Sequence, residues 1–216
     1  MKLVRDPAEQ TTAATDIILA LIAFGGVLLL LGSPVKTGGP WRIHIWSAAI
    51  GSIGLAATLG AAAHGLVLKP RLHSRIWMVL NMALTLAVSL FVVGVINDLW
   101  GARLSQKALP FVLLTGLGFY LTTLIYPGIF LLFIVYEGLA LVLALCAYLF
   151  LAIRGEPGAE YMAGGILLSI VAAGLQASKK ISFTLIWTFD HNGIYHIAQT
   201  LGLLLLIAGV WISSTG

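Results

Sequence analysis

The residues able to do chemistry gather late in the chain. The stretch TFDHNGIYHIAQ, Thr188 to Gln199, holds Asp190, His191, Asn192, Tyr195, His196 and Gln199, and almost wholly apolar sequence follows it. Four further polar side chains stand alone in apolar runs: Asp16 in TTAATDIILA, Asn81 in MVLNMAL, Glu137 between LLFIVY and GLALVLAL, and Gln176 in AAGLQAS. His64 closes the run LGAAAHG. Imidazole and carboxyl groups together support three chemistries. The first is a metal site, since a catalytic zinc takes three protein ligands and a water. His64, His191 and His196 supply that number. His191 and His196 are five apart, about 140° around a helix, so His191 must sit at an unwound start and turn inward to join His196. Asn192 and His196, four apart, share a face. Glu137 or Asp16 then serves as general base or as a partner orienting a ligand. The second chemistry is axial haem ligation by His64 and His196, though no C-x-x-C-H accompanies it. The third is transfer of protons or a solute through acids and histidines inside a helix bundle.

The elements that must position these groups follow from composition. The chain is 60% hydrophobic and only 9% charged over 216 residues. A soluble domain carries about 25% charged residues. With so few charges this chain cannot cover its surface in water, and hydrocarbon is its natural solvent. The net charge of +4 is therefore not a nucleic-acid signal. The lone Cys146 excludes an internal disulfide. The N-terminal MKLVRDPAEQTTAATD is mixed in charge and does not read as a cleaved signal.

Seven apolar runs, roughly 12–32, 42–68, 74–99, 109–126, 128–153, 160–178 and 191–213, approach the length a membrane span needs. An all-α, seven-helix transmembrane bundle forming one domain over 1–216 is expected. The softest boundary is Pro127-Gly128. Seven of the twelve Lys and Arg residues fall on the N-terminal side and five on the other, which points to a cytoplasmic N-terminus. Trp41, Trp46, Trp100 and Trp211 fall near one face and Trp77 and Trp187 near the other, as an aromatic belt does.

With odd helices running away from the N-terminal side and even ones back toward it, depth becomes readable at 1.5 Å per residue. Asp16, His64, Asn81, Glu137, Gln176 and the start of the seventh span then all lie in the half of the membrane nearest the N-terminus. Asn97 and Asp98, beside Trp100, read as interfacial. Simpler roles exist for several of these groups. Asp16 and Asp190 suit helix N-caps, and His191 suits a loop. Gly51, Gly54, Gly60 and Gly65 suit close helix packing. Those roles do not account for His64, Glu137 and His196.

The order of these motifs, an acid opening the first span, a histidine closing the second and FDHNGIYHIAQ opening the seventh, resembles an uncharacterised group of bacterial seven-span proteins. More distantly it is similar to the superfamily of alkaline ceramidases, progestin and adiponectin receptors and Per1-like proteins. That resemblance implies seven helices and a zinc held by one histidine of the second span and two of the seventh. It implies His64 and His196 as ligands, with Tyr195 before the latter. The superfamily spaces its last two histidines as H-x-x-x-H. Here Asn192 holds the earlier place, and His191 stands one residue before it. Gly60 stands where the superfamily has a serine, and Asn81 is the nearest polar group to its third-span acid. The implied function is zinc-dependent hydrolysis of a lipid amide or related lipid bond. The alternative is a non-enzymatic membrane protein, a receptor, small-molecule binder or accessory subunit, whose polar cluster (with Asn81, Gln176, Asn192, Tyr195 and Gln199) is a pocket or a bonded core. Membrane lipids are the expected surroundings, and a prokaryotic inner membrane the expected location.

Overall fold

The computed structural model describes residues 2–126, 130–178 and 181–216, apart from the side chains of 130–134. The boundary at Pro127-Gly128 and the two cations Lys179 and Lys180 lie outside the described residues. Seven helices follow one another: α1 (Pro7–Gly32), α2 (Gly39–Gly65), α3 (Pro70–Trp100), α4 (Ala102–Ile125), α5 (Phe130–Ile153), α6 (Ala159–Ser178) and α7 (His191–Thr215). Each is long and apolar enough to cross a membrane. The chain is an all-α integral membrane protein.

Local signals set the helix ends. Proline sits in the first turn of α1, α2 and α3, where its missing N–H costs nothing. Asp6 caps α1 by accepting from the Ala8 amide at 2.9 Å. Asp190 caps α7 by accepting from the Asn192 and Gly193 amides at 3.0 and 2.9 Å. Gly101, at φ 84°, takes a backbone conformation closed to most side chains and separates α3 from α4.

Two segments differ from the sequence-based expectation. GARLSQK, read as a break, is the first part of α4, which runs on through Pro110. Gly101 alone makes the corner, so Ala102 to Lys107 are free to be helical. The break KKISFTLIWTFD contains a small antiparallel hairpin, β1 (Phe183–Thr184) with β2 (Thr188–Phe189). Its tip residues Leu185, Ile186 and Trp187 are exposed.

Six helices close a ring. α1 packs on α2 and α7, α2 on α3, α5 on α6, and α6 on α7, while α3 and α5 meet more sparingly. α4 stands outside, mainly against α3. Large apolar side chains such as Leu28, Phe111 and Ile153 point outward, as a lipid-facing surface requires. Small residues let the helices approach. A Cβ added at Gly165 would come within 2.7 Å of the Gly202 carbonyl oxygen, so α6 and α7 touch backbone to backbone.

Candidate functional site: a polar cavity near the N-terminal end of the ring

Inside the ring, toward the end where α1 and α7 begin and α2 finishes, lies a cavity of about 420 Å³. Six helices contribute polar groups singled out above. Asp16 enters from α1, His64 from α2, Asn81 from α3 and Glu137 from α5. Gln176 comes from α6, and Asn192, Tyr195 and His196 from α7. Leu19, Ile53, Ala56, Ala57, Leu80 and Leu84 form the apolar remainder of the wall. The expected convergence at one depth is therefore realised for these eight side chains.

His196 is held from both sides. Its Nε2 lies 3.3 Å from Asp16 Oδ1, and its Nδ1 lies 3.2 Å from the Thr15 hydroxyl. Thr15 donates its own hydrogen to the Thr12 carbonyl at 2.9 Å, so it accepts from the imidazole and Nδ1 carries the hydrogen. Thr12 in turn donates to Asp190 at 3.0 Å, tying α1 to the cap of α7. The first turns of α1 thus orient the imidazole through Thr12, Thr15 and Asp16, which share a helix face. The ring of Tyr195 meets that of His196 edge to face at 5.1 Å.

His64 has a different partner. Its Nδ1 lies 2.6 Å from Glu9 Oε2, so the ring donates there. The ring also meets Trp77 edge to face at 5.6 Å. The N-terminal segment braces this corner: the Val4 amide donates to the Gly65 carbonyl at 3.0 Å, and the Val67 amide to Lys2 at 2.9 Å. Gln176 donates to Asn192 at 3.4 Å, which fixes α6 against the start of α7.

Two carboxyl groups are incompletely engaged. Asp16 is 3% exposed, and its Oδ2 is buried with no hydrogen-bond partner among the described residues. Gly60 makes room for it, since a Cβ there would stand 2.6 Å from that oxygen. Glu137 makes no hydrogen bond or ion pair with another described residue. It also lines a second, mostly apolar pocket of about 70 Å³ that shares Ile53, Leu84, Glu137 and Tyr195 with the first. Gln199 belongs to this second pocket.

His191 is not among the cavity-lining side chains. Its Nδ1 lies 3.9 Å from the Asp190 carboxylate, and the side chain is about a quarter exposed. Asn192 takes the inward position that His191 would need. Among the described residues, no three His, Cys, Asp or Glu side chains stand close enough to hold a metal. As arranged, the His64, His191 and His196 set does not converge on one point, because His191 is not among the side chains that line the cavity.

Sequence reasoning passed over Glu9, Thr12 and Thr15, and gave Trp77 only a place in the aromatic belt and Gly60 roles in helix packing and in the resemblance. The spacing of Thr12, Thr15 and Asp16 on one face was the available signal. At the opposite end of the bundle, Asn97 and Asp98 are buried inside the protein, in a network that sequence reasoning did not foresee. Arg42 and Asp98 form a buried ion pair with side chains 8% and 6% exposed. Arg42 donates from Nε and Nη2 to the two Asp98 oxygens at 2.7 and 2.8 Å. Its Nη1 donates to Ser214 at 2.7 Å. Tyr148 and Asn97 complete Asp98 at 2.8 and 3.0 Å. A cavity of about 270 Å³ lies over this network, with Glu156 at its rim.

Comparison with known proteins returns one result. A family model matches residues 11–214, that of a family of unknown function (DUF6962). No curated protein and no solved structure matches the chain.

Proposed function

The chain belongs to this family of unknown function, DUF6962, and from the cavity we propose that it is a membrane-embedded binding protein for a small molecule with a polar head. One observation carries the reading. A cavity of about 420 Å³ is lined by polar groups of six helices, and two of its carboxyls lack full hydrogen bonding among the described residues. Buried polar groups are ordinarily paired within the protein or with something bound. A pocket with an apolar wall and a few converging polar groups is the usual form of a small-molecule site. Native mass spectrometry of the protein released from lipid nanodiscs tests this. The wild type should carry a bound small molecule that Ala57→Leu, which fills the cavity wall, displaces. An equal load in both proteins contradicts it.

A second reading, hydrolysis of a lipid amide or related lipid bond at a zinc centre, has one observation in its favour. His64, His196, Asp16 and Glu137 line the same cavity, so imidazoles and candidate bases are within one space. It requires His191 to rotate inward past Asn192. Metal analysis of purified protein decides it: stoichiometric zinc lost on His64→Ala, His191→Ala and His196→Ala supports hydrolysis, and absence of zinc from the wild type opposes it. We also infer a cytoplasmic N-terminus and a prokaryotic cell membrane, from the distribution of Lys and Arg and the compact, single-cysteine chain. Labelling from either side of oriented vesicles reports the former, and cell fractionation the latter.

A further inference from the structure

We propose that the molecule this cavity takes is a primary amine bearing a short aliphatic chain. The proposal rests on the binding reading above and names the ligand's chemistry. Hydrogen-bond accounting gives the head group. The Nδ1 hydrogens of His64 and His196 are directed to Glu9 and Thr15, and the Gln176 amide to Asn192. What remains includes two acceptors, Asp16 Oδ2, which has no partner, and the Glu137 carboxyl, which has none among the described residues, beside the Asn81 amide and the Tyr195 hydroxyl. Among the described residues, no Lys or Arg lines the cavity. An anionic head group would meet the Asp16 and Glu137 carboxyls with no Lys or Arg among the described residues to pair with. An amine brings several N–H donors in a compact group and matches both acids. The rings of Trp77 and Tyr195 in the same wall offer the π faces that attract an ammonium.

Shape gives the tail. Glu137 and Tyr195 stand at the junction of the polar cavity and the apolar pocket of about 70 Å³. Trp46, Phe91 and Leu141 wall the latter. A nitrogen held by Glu137 would send its chain toward those side chains. At about 70 Å³ against about 420 Å³ for the polar cavity, the apolar pocket takes only the end of a chain, so the ligand is short.

The test uses full-length protein in lipid nanodiscs and a photoactivatable alkylamine whose adducts are located by peptide mapping. n-Octylamine, n-octanol and octanoate serve as competitors. Adducts are expected on the α3 and α7 segments around Trp77 and Tyr195. n-Octylamine should abolish them at a concentration at least tenfold lower than n-octanol, with octanoate weakest. Asp16→Asn and Glu137→Gln should each raise the n-octylamine concentration needed about tenfold and leave that for n-octanol unchanged, which also shows that the variant cavity is intact. Cavity labelling with no preference for the amine, or variants that leave that preference in place, overturns the amine assignment and leaves the binding reading standing. Adducts confined to lipid-facing positions overturn both.

Discussion

The two ends of this bundle solve the same problem in opposite ways. Both bring ionisable side chains into a chain that is only 9% charged. At the end where α2 begins, Arg42 and Asp98 are matched donor to acceptor. Both Asp98 oxygens accept two hydrogen bonds, from Arg42, Tyr148 and Asn97. At the end where α2 finishes, Asp16 has one oxygen near His196 and one with no partner, and Glu137 faces open space. A saturated network welds α2, α3, α5 and α7 into one body. An unsaturated one leaves interaction energy available for something that arrives. The difference teaches that ionisable groups in a membrane protein are informative in proportion to what they leave unmade.

Breaking the saturated end should have the largest effect. Arg42→Met leaves Asp98 buried without its cation and is expected to cost about 3–5 kcal/mol, read as a fall in thermal unfolding temperature in detergent. Arg42→Met with Asp98→Leu should recover most of that loss, since an apolar pair of similar volume replaces a buried ion pair at little cost. A double variant as unstable as the single one would show that the pair does more than neutralise itself.

At the unsaturated end the effects should be smaller and should fall on ligand rather than fold. His196→Ala removes the one partner of Asp16 and is expected to cost about 1–3 kcal/mol, measured in the same unfolding assay. Asp16→Asn should change stability by about 1 kcal/mol or less, because the amide keeps a contact with the imidazole and one oxygen had no bond to lose. His191→Ala, outside the cavity, should shift stability by under about 0.5 kcal/mol and leave ligand load unchanged. If His191→Ala instead abolishes a bound metal or ligand, the inward rotation that a zinc centre needs is real.

The seven spans were readable because hydrophobic length is a property of each segment alone. The cavity was readable for a related reason: alternating helix direction converts sequence position into depth, so Asp16, His64, Asn81, Glu137 and Gln176 could be placed at one level without knowing any contact. The Arg42–Asp98 pair was not readable. Both residues lie near helix ends, where water would serve either of them equally well, and 56 positions separate them. The facing of His191 was undetermined for a different reason. A residue at a helix start can turn either way, and the Asp190 cap, with Asn192 as the next residue inward, decides it. The start of α4 depended on whether GARLSQK could be helical in the headgroup region, which composition alone does not fix.

The most direct test is a high-resolution map of the protein in a lipid nanodisc, read at the cavity bounded by Asp16, Glu137, Tyr195 and His196. Continuous non-protein density larger than a water, in hydrogen-bond contact with the Glu137 carboxyl and extending toward Phe91, is the expected result. A cavity closed by movement of α5, with Asp16 and Glu137 both fully bonded to protein groups, would contradict it.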